Sequence, residues 1–181
     1  MLPVAAAHQQ EGGFRQMKTY SITTRTFVEQ PTIARRTTLP ADRVGSWLAE
    51  TYAQISAYLK GLEIAMAGPP YARYTFHGDT FHVDQMGVEA GFPVNGAVPG
   101  KGSIQPSHLP GGTAAITVHL GPYEKLEGAY KAVMEWLAVH GYEPIDGHWE
   151  IYHTDPAQEP DSARWCTEVV ALYAEHTGTP E

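Results

Sequence analysis

Glu150 stands between Trp149 and Tyr152 in GHWEIYHTDP (147–156), a run that otherwise alternates like a β-strand. Alternation puts Trp149, Ile151 and His153 on one face, and Glu150 and Tyr152 on the other. A carboxylate among large aromatic rings suits two kinds of chemistry. It can be the counter-charge for a cation held over ring faces, or a general base whose pKa an apolar setting raises. Burying it unpaired is costly, so Glu150 either faces water or waits for a partner that neutralises it. Two further carboxylates lie in strand-like runs: Glu168 in WCTEVVALY (165–173), sharing a face with Cys166, Val170 and Leu172, and Glu89 in VEAGFPV (88–94). Alternation alone favours a plainer reading for all three, as solvated residues on the wet face of an antiparallel sheet.

Other clusters carry less chemistry. HGDTFHVD (77–84) offers His77, Asp79, His82 and Asp84, but no second cluster with ligand spacing supports a metal site. Solvated hairpin polar residues explain this run better. No motif ties a histidine to Cys166, so a buried, inert thiol is expected there. The GKG at 100–102 lacks the spacing of a phosphate loop. His119 ends a strand-like run before Gly121-Pro122 and could line the mouth of a cleft or lie at the surface. No metal and no cofactor are expected.

The 181 residues are enough for one domain with a full core, and 43% hydrophobic with 18% charged content is that of a globular protein. A net charge of −8, with Arg35-Arg36 the only adjacent basic pair, argues against direct nucleic-acid binding. One cysteine permits no internal disulfide, which suits the cytoplasm, and no apolar run approaches the roughly 20 residues of a membrane span.

Residues 1–16 show no period and read as a tail. The folded domain is expected over 17–176, with a first half at about 17–95, a linker at 95–112 and a second half at about 113–176; a short tail, 177–181, closes the chain. MKTYSITTRTFVEQPTIARRTTL (17–39) reads as strands broken by Pro31. PADRVGSWLAETYAQISAYLKG (40–61) carries an apolar stripe through Val44, Trp47, Leu48, Tyr52, Ile55, Tyr58 and Leu59, with Asp42 as a candidate cap and Gly61 as its end. Strands at PPYARYTF (69–76) and FHVDQMGVEAGFPV (81–94) follow, and the Gly/Pro-rich 95–112 breaks regular structure. TAAITVHL, a helix over 121–141, HWEIYHT and RWCTEVVALY then repeat the order. Gly61 and Gly141 lie 80 apart, Tyr74 and Tyr152 78, Glu89 and Glu168 79. The sequence therefore predicts an α+β fold of two strand-helix-strand-strand units with pseudo-two-fold symmetry. Both helices would cover one face of a curved, mostly antiparallel sheet, leaving a central cleft on the open face.

HLGPYEKLEGAYKAVMEWLAVHGYEPIDGHWEIYHTDP, WCTEVV, GPPYARYTF and VEAGFPV together resemble the gyrase-inhibitor-like effector-binding domains. The likeness runs over about 19–173 and is specific in its order: Gly-Pro-Tyr, a Trp-Leu helix end, Trp-Glu-x-Tyr, Thr-Glu-Val. It implies a pocket for bulky, often cationic, aromatic compounds. It also implies, as alternatives, hydrolysis of cyclopropane-containing toxins or docking on a protein such as DNA gyrase. With only sixteen residues before Met17, the stand-alone type is expected. The resemblance makes Glu150 and Glu168 the pocket's acids, with a possible catalytic role, and favours the ligand reading for both over the solvated one. Glu89 follows as the partner of Glu168, and Tyr152, Tyr74, Trp149 and His119 as wall candidates. Tyr71, Tyr74, Tyr123, Tyr130 and Trp149 also fit as core aromatics.

Overall fold

The computed structural model describes residues 19–75 and 85–175. Both expected tails, and the hairpin with His77, Asp79, His82 and Asp84, lie outside them.

The Thr-rich start forms β1 (Thr23–Phe27) and β2 (Gln30–Leu39). The break falls at Val28-Glu29 and not at Pro31, which sits near the start of β2 opposite His108, where a strand tolerates proline. Helix α1 (Ala41–Gly61) buries Val44, Thr51, Ile55 and Leu59. Its cap residue is Pro40; Asp42 lies within the first turn, where its charge complements the helix dipole. There follow β3 (Tyr71–Thr75), β4 (Met86–Pro93), β5 (Gln105–Leu109) and β6 (Gly112–Leu120). A single 3-10 turn, Tyr123–Lys125, leads into α2 (Glu127–His140), which buries Ala129, Val133 and Leu137. Gly141, at φ 69°, turns the chain directly into β7 (Tyr142–Tyr152), and β8 (Cys166–Glu175) ends the sheet.

The eight strands form one antiparallel sheet in the order β1-β6-β8-β7-β3-β4-β2-β5. Two copies of one arrangement, β2-β4-β3 and β6-β8-β7, meet where β3 pairs with β7. The flanking strands are exchanged: β1 precedes the first copy but pairs with β6 of the second, and β5 precedes the second but pairs with β2 of the first. This explains the strand at 105–109, inside the stretch expected to break regular structure. QPSHL has no β-branched residue, and its extended form comes from pairing with Gln30–Ala34 and from burial of Leu109. Val98 and Ile104 of the same stretch are buried against Ile55 and Leu59 of α1.

The sheet curls. Phe27 and Leu109, one from each edge strand, join Tyr71, Trp149, Ile116 and Leu172 in a cluster on the face that carries no helix. On the opposite face α1 rests on β2 and β4, and α2 on β6, β7 and β8. Gly91 permits the close approach of β4 to β2, since a Cβ there would lie 2.2 Å from the Ile33 carbonyl oxygen.

The buried positions of the helices repeat at a spacing of 78: Thr51 and Ala129, Ile55 and Val133, Leu59 and Leu137. That spacing, and not the 80 between Gly61 and Gly141, relates the helices and the inner strands β3 and β7, while Glu89 of β4 and Glu168 of β8 match at 79. In the β3–β7 ladder Tyr71 faces Ile151, Ala72 faces Glu150 and Arg73 faces Trp149. A shift of 78 carries Tyr71 to Trp149 and Arg73 to Ile151, so the outer two pairs exchange and the Ala72–Glu150 pair maps onto itself. The pseudo-two-fold axis therefore passes between Ala72 and Glu150.

Candidate functional site

A cavity of about 2020 Å³ opens between α1 and α2, floored by the β3–β7 seam and walled on one side by 153–158 and Trp165. It lies on the helical face of the sheet, not on the open face expected from the sequence. Each helix sits over its own half of the sheet, and the gap left between them is the cleft.

Glu150 is at the bottom of it, 5% exposed. The hydroxyls of Tyr130, from α2, and Tyr152, its neighbour on the same strand face, donate to its two carboxylate oxygens. Tyr74 from β3 adds a third hydroxyl and lies 3.3 Å, oxygen to oxygen, from Tyr152. Burial pushes the Glu150 carboxyl above its ordinary pKa, and the three phenols pull it part of the way back. The same burial, together with the Glu150 charge, holds the hydroxyls of Tyr74, Tyr130 and Tyr152 firmly protonated, so they remain donors. Tyr123 meets Tyr152 edge-on at 5.5 Å between ring centres and leans on Trp165 at 4.7 Å. Tyr52 closes the α1 side, its hydroxyl donating to the Tyr71 carbonyl at 3.0 Å.

His148 stacks on Tyr74 at 5.6 Å and meets Tyr130 edge-on at 4.6 Å. Burial pushes its pKa down from 6.5 to about 4. A depressed histidine binds fewer protons folded than unfolded, so stability falls as pH drops from 6.5 towards 4, by at most about 3 kcal/mol. His148→Gln should flatten that part of the melting-temperature profile; an unchanged slope between pH 7 and 4.5 would refute it.

Glu150, Tyr152 and Tyr74 are thus gathered at one place, and the other sequence candidates are not. In the β7–β8 ladder Glu168 faces Ile151, so its side chain shares the face of Trp149 and points away from the cavity. There it pairs with Arg25 at 3.2 and 3.3 Å, with His153 3.9 Å away. Glu89 takes the matching place in the first half. It accepts from Arg36, from the Tyr71 hydroxyl at 2.7 Å and from Ser107 at 2.9 Å. Trp149 is a core residue beside Phe27, on that same opposite face. His119 is buried beneath the start of α2, 2.8 Å from the Tyr20 hydroxyl and 3.2 Å from the Pro122 carbonyl, where it ties the entering chain to the turn before the helix. Glu168→Gln should therefore leave ligand affinity within about twofold and cost less than about 1 kcal/mol, because Arg25 is half exposed. A tenfold loss of binding would return Glu168 to the site.

The residues that sequence reasoning passed over are Tyr130, Tyr123 and Tyr52, all read as packing aromatics. One signal was available for two of them: Tyr52 and Tyr130 share the 78 spacing with Tyr74 and Tyr152. Among the described residues no group of three or more His, Cys, Asp or Glu could hold a metal ion, and no helix is long and apolar enough to cross a membrane.

Residues 20–171 match the GyrI-like small molecule binding domain. The chain belongs to this family. No curated protein sequence matches it. Among solved structures, the GyrI-like fold here is similar to the C-terminal domain of EcmrR, with 24% identity, a TM-score of 0.77, and coverage of 87% of this chain and 99% of that one. Of the EcmrR chain in its DNA complex it covers 58%. A hydrolase from Listeria innocua is 13% identical over 84% of this chain and 91% of its own, with a TM-score of 0.58. SAV2435, bound to tetraphenylphosphonium, is 8% identical over 87% and 94%, with a TM-score of 0.56. At these identities the likeness is one of fold.

Proposed function

We propose that this GyrI-like domain binds bulky lipophilic or aromatic cations in the cavity between its helices, with Glu150 as the counter-charge. One observation carries the reading. Five carboxylates, Asp42, Glu124, Glu127, Glu150 and Asp155, line the cavity, and among the described residues no lysine or arginine does. Ionised Glu150 is unfavourable in an empty aromatic pocket, and a cation brought over the rings neutralises it while gaining ~0.5–2 kcal/mol per ring contact. The remaining wall is mostly apolar, with Leu48, Val44, Leu126, Val133 and Met134 giving area without direction. Equilibrium titration with a cationic, a neutral and an anionic dye of similar size tests this. The cation should bind most tightly and the anion least; equal affinities would overturn the reading.

Hydrolysis of a cyclopropane-bearing electrophile is the second reading, favoured by the raised Glu150 carboxyl beside phenol donors. Glu150, the buried carboxylate of the cavity, would be its base, and Glu168 would take no part because it lies on the other face. Both Glu150 oxygens already accept from tyrosines, which suits holding a cation better than activating water. Consumption of such a compound with one water added to the product, lost in Glu150→Gln, would establish hydrolysis instead.

A further inference from the structure

Three pairs of lining residues relate the two halves of the cavity, while among the described residues its buried carboxylate is single and central. Leu48 and Leu126, Tyr52 and Tyr130, and Tyr74 and Tyr152 are each 78 apart, and all six line it. Each half supplies one tyrosine from its helix and one from its inner strand, with a leucine that lies within α1 in the first half and caps α2 in the second. The pairing fails at the axis, where Ala72 faces Glu150. The two half-chambers thus share one buried carboxylate, the other four lining acids, Asp42, Glu124, Glu127 and Asp155, being exposed to solvent. At about 2020 Å³ the space is also well above the roughly 300–1,000 Å³ that a drug-sized ligand needs, so both halves can be filled at once.

We infer that the cavity selects cations whose charge lies at the middle of a two-armed scaffold, one arm under each helix, over equally lipophilic cations charged at one end. This selectivity rests on the cation-binding reading and adds the shape of the ligand. A central cation over Glu150 can lay one arm against Leu48 and Tyr52 and the other against Leu126 and Tyr130. A cation charged at its end must leave one half-chamber wet to keep its charge at Glu150, or fill both and move its charge off the axis. The tyrosines bias the two arms slightly, because Tyr130 donates to Glu150 while Tyr52 donates to the Tyr71 carbonyl.

Two isomeric cations separate these cases by calorimetric titration: dibenzyldimethylammonium, charged at its centre, and para-benzylphenyltrimethylammonium, charged at its end. The first should bind about tenfold more tightly, the equivalent of one well-buried arm. Leu48→Trp, which fills the α1 half-chamber, should weaken the first by about tenfold and the second by no more than about twofold, since the second can use the other half. Equal affinity of the two isomers for the wild-type protein, with both weakened by Glu150→Gln, would overturn the shape selectivity and leave cation binding standing. Binding of both isomers unchanged in Glu150→Gln would overturn the cation-binding reading itself, and the selectivity with it.

Discussion

Glu150→Gln should weaken binding of a lipophilic cation by about thirtyfold or more, while a neutral aromatic ligand of similar size stays within about twofold. Truncating one partner of a buried, hydrogen-bonded charge pair typically costs 2–5 kcal/mol, and 2 kcal/mol is about thirtyfold. The amide keeps the volume and removes the charge. The same substitution has a stability signature of its own. Burial raises the Glu150 pKa above 4.5, so the folded state holds this proton more tightly than the unfolded state does. The favourable contribution of the group is therefore complete below pH 4.5 and disappears as pH rises through the folded-state value. The stability of wild type minus that of Glu150→Gln should thus decline with rising pH across this window, against the opposite trend set by His148. Cation affinity of the wild type should in turn fall as pH drops through the raised pKa, because the protonated carboxyl carries no charge. Fluorescence titration and denaturant melts over pH 4 to 8 read both effects. A variant that loses neutral and cationic ligands equally would make Glu150 a structural residue.

Trp149→Ala should be the most destabilising single change at the seam, costing about 3–5 kcal/mol and lowering the melting temperature by roughly ten degrees or more. Trp149 is 1% exposed, packs edge-on against Phe27 and shares a cluster with Tyr71, Val170 and Leu172. Among the described residues its indole N–H has no hydrogen-bond partner, so Trp149→Phe removes volume without orphaning an acceptor and should cost much less. Cation affinity in Trp149→Phe should match the wild type, because the ring points away from the cavity. A binding loss larger than the stability loss would place Trp149 in the ligand wall after all.

The order of elements was readable from the chain because helical and strand periods are long and clean here. The stripe from Val44 to Leu59 and the run Thr113–Leu120 can be little else. The placement of acids relative to one another was not readable. Glu150 and Glu168 each alternate correctly within their own strands, yet which face they share depends on register, and a pairing of Glu168 with Ile151 instead of Glu150 reverses the answer. Strand β5 was hidden for another reason: its residues have poor strand propensity, and only a partner far away in sequence makes them extended. The side of the sheet that holds the cleft was equally closed to sequence reasoning. An amphipathic stripe says that a helix covers a sheet, not whether two helices leave a gap between them.

The Ala72–Glu150 pair on the axis has a consequence for how such a site can arise. Two identical chains, each one copy of the repeated unit and exchanging first strands as β1 and β5 do here, would build the same eight-stranded sheet. In that assembly whatever residue stands on the axis faces itself. Alanine would face alanine and leave the chamber without its charge. Glutamate would face glutamate, and two carboxylates directly opposite on neighbouring strands repel and cannot both ionise. A single carboxylate at the centre is therefore open to a chain carrying both copies, where the two positions are free to diverge, and closed to any symmetric pair, which would hold two or none and, with two, would share one proton between them.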